Sequence, residues 1–541
     1  VSATKKSKRR KAVAKTCRNV RIKATKRTRK VCTTKKKAVR KKVVAKKPAV
    51  VVKPAPAPVA GSPTPVPSPA APPVTTPTQP AAQPPPAAAP TAPGLPVYDG
   101  AFGVREARRL LWRAGFGPRP GEAEALAAGG LVAAVRSLTR AAGTATLTGA
   151  APVLENGEPI APLDAWGHDH LWWLDRMVRS DQPLAERMAL IWHDWFATSN
   201  ADVNSQALML DQNALFRRSG LGSFADLLRD VTTDPAMLVF LSGISNARWA
   251  PNENYAREMM ELFTLGADRG AYTETDVRDL ARALTGWRAT WSDGLGFHDF
   301  RFDPARADTS SKTLWAGKAH ARTGAFDWRG ACTLCLENPY HRSFFVLKLW
   351  SYFVPSPPDA ATQAGLESLY ERSGRSIGQI VEAILLHPDV YRGAPLVRPP
   401  AVYAAGLLRA TSQTIATDAW TWLCALAGQQ LFYPPNVSGW NDRAWLDTSR
   451  LYGRWYMADY AVRGGARVGA DYAGSSETGT QALAAALGYV GSALLTSETQ
   501  AALQAFADQP APVGYDGATY RALRQNALRQ LIASCPDEQV C

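Results

Sequence analysis

Eighteen prolines fall between residues 48 and 97, separated by Ala, Val, Thr and Ser. Proline has no amide hydrogen to give to a helix or sheet and fixes its own φ, so this run cannot enter regular hydrogen-bonded structure. It favours polyproline II, a semi-rigid spacer of roughly 3.1 Å per residue and about 150 Å in all. Before it, residues 1–53 hold 23 Lys or Arg and no acidic residue, and the first carboxylate of the chain is Asp99. So basic a stretch has too little apolar surface to offset its ordering entropy. The expected organisation is a disordered basic tail over 1–47, a Pro/Ala-rich linker over 48–98 and a folded domain over 99–541.

The formal charge of +17 belongs to the tail, because the remaining residues carry 40 basic against 46 acidic groups, about −6. Total charge therefore gives no argument for nucleic-acid binding by the folded domain. The expected partner of the tail is an anionic envelope polymer or lipid held through salt-sensitive contacts. Nucleic acid would show the same salt dependence. No aromatic residue interleaves the basic ones, which argues against a single-strand stacking binder. No apolar run reaches the roughly 18 residues of a transmembrane helix. The chain begins Val1-Ser2-Ala3, small residues at the spacing of a signal-peptidase site, with no initiator Met. A leader upstream, and hence a secreted or envelope-associated protein, is the expectation. Cysteines fall in three local pairs, Cys17 with Cys32, Cys332 with Cys335 and Cys535 with Cys541, which fits an oxidising compartment. Cys332-Thr-Leu-Cys335 lacks the second pair of a zinc site and a redox βαβ context, and reads as structural.

From Phe102 onward the apolar residues recur at helical spacing. Helices are expected near 120–139, 164–180, 184–198, 203–218, 223–231 and 235–241. The period returns at 341–354, 362–373, 376–387, 399–411, 417–428, 449–463, 479–490, 495–508 and 516–533. Between Trp291 and Gly317 it changes to alternation, a small β-hairpin excursion. The fold class is mainly α, one large multi-helical domain.

Charged side chains concentrate between Pro251 and Trp287. At about 3.6 residues per turn, a helix from Asn252 to Gly266 puts Asn254, Arg257, Glu258 and Glu261 on one face. Tyr255, Met259, Leu262 and Phe263 lean the other way. Thr273 and Asp276 form a capping box for a second helix that carries Asp279 and Arg282 and ends at Gly286. The Asn252–Gly266 wording and the Tyr272–Trp287 run resemble the signature of the domain-of-unknown-function 1800 family. Arg113–Pro118, Trp192–Ser199, Lys348–Phe353 and Tyr433–Trp440 extend the resemblance over about residues 100–460, and it implies no biochemistry. In that family histidines often stand where this chain has Trp195 and Phe263, so the resemblance implies that a histidine metal site is not kept here.

Glu258 and Glu261, three apart on a helix, are neighbours that suit general acid/base work or a divalent ion. Arg257 and Arg282 compete with a metal, and in the bland reading they clamp Glu258, Glu261 and Asp279 as a network that only supports the fold. His193 is a candidate base. Asn252, Asn254, Arg257, Arg282, Trp287, Asn436 and Trp440 are candidate substrate-binding residues, the tryptophans as stacking faces for sugar rings. No Gly-x-Ser-x-Gly elbow, His-Glu-x-x-His helix, Walker loop or dinucleotide fingerprint is present, and no cofactor is named by a motif. The expected function is a carboxylate-dependent enzyme acting on a carbohydrate-like or anionic envelope substrate. A non-catalytic binding or assembly module of the envelope is the alternative.

Overall fold

A computed structural model describes residues 94–464, 467–472, 476–491 and 493–541, together with the backbone of two strands in the basic segment. Those strands, Lys15–Arg21 and Thr28–Thr34, pair antiparallel with Cys17 opposite Cys32. The rest of the expected tail, and residues 48–93 of the expected linker, lie outside the described residues. The chain divides into two units, Val1–Pro85 and Pro86–Cys541.

Among the described residues of the second unit, helices joined by loops run from Val104 to Ser534 around two small antiparallel hairpins. One pairs Trp287–Ser292 with Gly296–Phe302, and the other pairs Lys312–Leu314 with Arg322–Gly324. Helix starts follow side-chain caps. Ser205, Ser223, Asp234, Thr273, Asp327, Asp359 and Ser376 each accept a backbone N–H of the first turn. The capping box expected at Thr273 and Asp276 forms, and the helix it starts runs Glu274–Ala283. Among the described residues, no helix is long and apolar enough to cross a membrane.

One continuous core runs through the unit. Its centre is aromatic: Trp192 and Trp195 lie 5.3 Å apart, Phe224 and Phe345 4.7 Å, Phe345 and Tyr370 4.3 Å. Several arginines are sealed inside it, and two of them tie distant helices together. Arg398 pairs with Glu538 at 2.5 Å and lies 3.6 Å over the Trp112 ring. Arg409 reaches Glu122 at 2.9 Å and the carbonyl of Gly117 at 2.8 Å. A buried guanidinium held this way joins helices far apart in the chain, because an unpaired one would be costly.

The central stretch departs from the α-helical expectation. Asn254–Glu258 is α-helical, but Met259–Thr264 continues as a π-helix. Both the Leu265 and Gly266 amides donate to the Met260 carbonyl. The wider turn rotates the faces. Met260 is buried beside Met259 and Phe263, while Leu262, expected inside, is only half-buried. Gly266 ends the segment at φ +89, and a Cβ there would lie 2.6 Å from Arg269 Cδ.

Candidate functional site

Of the acids expected to meet the arginines of the central pair, only Asp279 does. Arg257 donates to both carboxylate oxygens of Glu274, at 2.7 and 2.8 Å, and to Glu253 at 3.0 Å. This fork ties the first helix to the second. Arg282 reaches Asp279 at 2.8 Å and Asp308 at 2.9 Å, pinning the β excursion to the Glu274–Ala283 helix. Asp279 also accepts from the Thr313 amide at 2.8 Å. Arg257 and Arg282 are thus structural ties, and neither clamps Glu258 or Glu261.

Glu258 is left without a hydrogen bond or ion pair among the described residues, half-buried where the α-helix passes into the π segment. Burial, and then the negative charge of Glu261, push its carboxyl above the usual range, against the pull of Arg257. Glu261 accepts a long hydrogen bond of 3.4 Å from the Tyr272 hydroxyl. That phenol is raised to about 12 by burial and by the Glu261 charge. Two neighbouring carboxylates, one of which favours its protonated form more than an ordinary glutamate does, are groups that general acid chemistry uses. Asn254 is exposed, and its amide nitrogen donates to Asn252 Oδ1 at 2.9 Å. The Asn252 amide in turn donates to Asn246 Oδ1 at 2.9 Å. The two asparagines shape the entry to the helix.

The far end of the π segment is capped by one nearby side chain and by three from distant parts of the chain. Lys348 Nζ donates to the Leu262 carbonyl at 2.8 Å, Trp195 Nε1 to Phe263 at 3.2 Å, and Arg269 to Leu265 at 3.0 Å. His341 Nδ1 lies 2.9 Å from the Thr264 carbonyl. A carbonyl only accepts, so Nδ1 carries the hydrogen and Nε2 accepts from the Tyr370 hydroxyl at 2.9 Å. Orphan carbonyls at a helix C-terminus thereby find partners, two of them cationic, which suits the helix dipole.

Lys348 opens a second cluster. Its ammonium sits 4.4 Å over the Trp195 ring and is pushed down to about 8 by burial, with Asp194 opposing. Asp194 accepts from the Tyr352 hydroxyl at 2.7 Å and from the Trp440 amide at 2.8 Å. Burial raises the Asp194 carboxyl, and the Tyr352 phenol is raised well above its ordinary value. Asp194, Lys348 and Tyr352 are each partly exposed. Three of the segments that carry the family resemblance, 192–199, 348–353 and 433–440, meet here, and Lys348 links them to the end of the central one. Sequence reasoning passed over all three residues. The available signal was a single acid between Trp192 and Trp195, and a single cation, Lys348, inside Phe344–Trp350, with Tyr352 one helical turn beyond it.

The remaining candidates separate. His193 is in the core, 1% exposed, with its ring 5.4 Å from both Trp173 and Trp440, and burial drives it down to about 3. A base must reach a substrate proton, and His193 is enclosed by Trp173, Phe216, Phe432 and Trp440. The reading of it as a base is corrected to a neutral core residue. Trp440 is also buried, so its ring is packing and not a stacking face, whereas its amide serves Asp194. Asn436 is exposed, in a turn where its Oδ1 accepts from the Ser438 amide at 2.8 Å. Trp287 is half-buried against Phe302 and Trp328, at 5.6 and 5.8 Å.

Positions 195 and 263, where the resemblance implies histidines, are neighbours filled by an indole and a phenyl ring. Among the described residues, no group of three or more His, Cys, Asp or Glu is arranged to hold a metal ion. The five described cysteines are free thiols. Cys332 and Cys335 lie beneath the central helix, Cys332 3.3 Å from Thr232 Oγ1, and burial pushes the Cys332 thiol up to about 11. Such thiols are unreactive packing.

No curated protein and no solved structure shows significant similarity to the chain. A family model described as protein of unknown function (DUF1800) matches residues 109–540, and the chain belongs to that family.

Proposed function

We propose that this is an exported, envelope-associated enzyme in which Glu258, with Glu261 beside it, gives and takes protons on a hydroxyl-rich, carbohydrate-like substrate. One observation carries the reading: a half-buried carboxylate with no partner, whose proton affinity is raised by burial and by a second carboxylate. The nearby guanidiniums are consumed by Glu253, Glu274, Asp279 and Asp308, so an anionic group would meet two acids without a counter-charge. That favours the carbohydrate-like class over the anionic one. Trp249, 64% exposed on the loop that enters the Asn254 helix, carries the Arg306 guanidinium 5.3 Å from its ring centroid and leaves its other face for a sugar. Export and envelope placement rest on the basic segment and the proline run. Deleting residues 1–53 should release the protein from envelope fractions at ordinary salt, and unchanged retention would remove that part of the proposal.

Glu258→Gln tests the chemistry. The folded carboxyl lies above its ordinary value of 4.5, so the folded state holds this proton more tightly than the unfolded chain. Ionising it costs the folded state increasingly as pH rises through that window, and the cost is complete above it. The glutamine removes the cost and breaks no partner. At pH 7 the melting midpoint should therefore be unchanged or higher, and any gain should vanish below about pH 4.5. Release of reducing ends from a panel of envelope glycans should fall by roughly 100-fold or more. A midpoint several degrees lower would mean that Glu258 is a buttress, and the enzyme reading would be abandoned.

A non-catalytic assembly module is favoured by one different feature. Trp422, Leu426, Leu451, Tyr452 and Trp455 are exposed on the packed helices Ala419–Leu426 and Thr448–Arg463. Under that reading the Glu258 substitution moves the midpoint as above and changes no release of reducing ends.

A further inference from the structure

The helices Trp328–Glu337, His341–Ser351 and Ala360–Arg372 frame a cleft of about 380 Å³, bordered by Glu337, Asn338, Arg342, Glu371 and Arg375. Its inner wall carries hydrogen-bond donors with nothing to donate to. Asn338 is 3% exposed, and its Oδ1 accepts from the Tyr340 amide at 3.0 Å while its Nδ2 has no partner. The Nε of Arg375 is likewise buried and unpartnered, and its Nη2 reaches the Leu336 carbonyl at 3.3 Å. Buried donors are almost always satisfied, and orphans lining a cleft point to an acceptor that arrives from outside. The His341–Ser351 helix begins here with no side-chain cap, which adds the positive end of its dipole.

The outer wall has the opposite character. Glu337 and Glu371 are exposed, and among the described residues neither forms an ion pair. Two rim carboxylates oppose a bare anion and favour a cation close to it. Arg342 is engaged by Glu367 at 3.2 Å and leaves Arg375 as the inner charge.

We propose that this cleft binds a small zwitterion of the α-amino-acid class, free or as the end of a dipeptide. The carboxylate is held by Asn338 Nδ2, Arg375 and the helix start, and the ammonium by Glu337 and Glu371. The assignment does not depend on Glu258 and concerns a separate site.

Titration calorimetry on the full chain with alanine, alanylalanine, N-acetylalanine and alaninamide tests it. Saturable binding of alanine or alanylalanine is expected, with the free amino acid and the dipeptide told apart by which binds tighter. N-acetylalanine lacks the ammonium and alaninamide lacks the carboxylate, so both should bind at least about tenfold more weakly. Arg375→Lys keeps the charge and removes the Nε donor, and should weaken zwitterion binding by about tenfold with an unchanged melting midpoint. Asn338→Leu should do the same where it folds, and Arg375→Lys decides the matter where it does not. Absence of saturable binding by either zwitterion at about 10 mM would overturn the proposal. So would N-acetylalanine binding as tightly as alanine, which would make this an anion site, or an affinity untouched by Arg375→Lys.

Discussion

Replacing Gly439 by alanine is expected to destabilise the protein by on the order of 4 kcal/mol, read as a lowered denaturation midpoint. The residue sits at φ +85, where any other side chain is strained. Its added Cβ would fall 2.2 Å from Asp194 Oδ1 and 2.8 Å from both the Asp194 Cγ and the Asp194 carbonyl oxygen. Neither the carboxylate, held by Tyr352 and the Trp440 amide, nor the helix backbone behind it can move away without losing those bonds. Strain and overpacking therefore add. A Gly439→Ala protein with the wild-type midpoint would show that the 436–440 turn is not seated on Asp194 as described.

Asp194→Ala should cost a comparable amount, about 3–5 kcal/mol. It leaves the Tyr352 hydroxyl and the Trp440 amide without an acceptor and removes the one carboxylate that offsets the enclosed Lys348 ammonium. Asp194→Asn separates these contributions. Its oxygen can still accept from the Trp440 amide while its NH₂ donates to the Tyr352 oxygen, so the hydrogen bonds survive and only the charge is lost. Asparagine should cost roughly 1 kcal/mol. If asparagine costs as much as alanine in urea titrations, the charge opposite Lys348 is what holds the cluster. The Gly439→Ala and Asp194→Ala losses should also fall short of additive when combined, because both act on one contact.

Much of this architecture is legible because helix boundaries are written locally. Thr273 with Asp276, Ser376, and Asp234 before Pro235 are short-range cap signals, and each starts a helix where expected. The Trp328–Glu337 helix is missed although Asp327 caps it, because Cys332 and Cys335 draw attention as a motif instead of as its buried face. The π segment is not legible. An α-helical period puts Leu262 inside, whereas the wider winding is held by bonds from Trp195, His341 and Lys348 to successive carbonyls and by the Thr264 hydroxyl on the Met259 carbonyl. The closeness of Glu258 and Glu261 follows from spacing. Their freedom from arginine does not, since it depends on Glu253 and Glu274 lying nearer to Arg257 across a helix pair. His193 draws notice by residue type and Asp194 does not, yet burial favours the acid: the ring is enclosed by aromatics and the acid borders solvent.

The capped end of the π segment also bears on the order of assembly. Its three carbonyl partners lie 68, 77 and 86 residues away in the chain. Residues 195, 341 and 348 must all be in place before the carbonyls of this winding have their partners, so its final form belongs to the late, long-range stage of folding. The amides of Leu265 and Gly266 would then exchange with solvent deuterium in step with the distant helices that secure them, and not with the short Asn254–Glu258 turn next door.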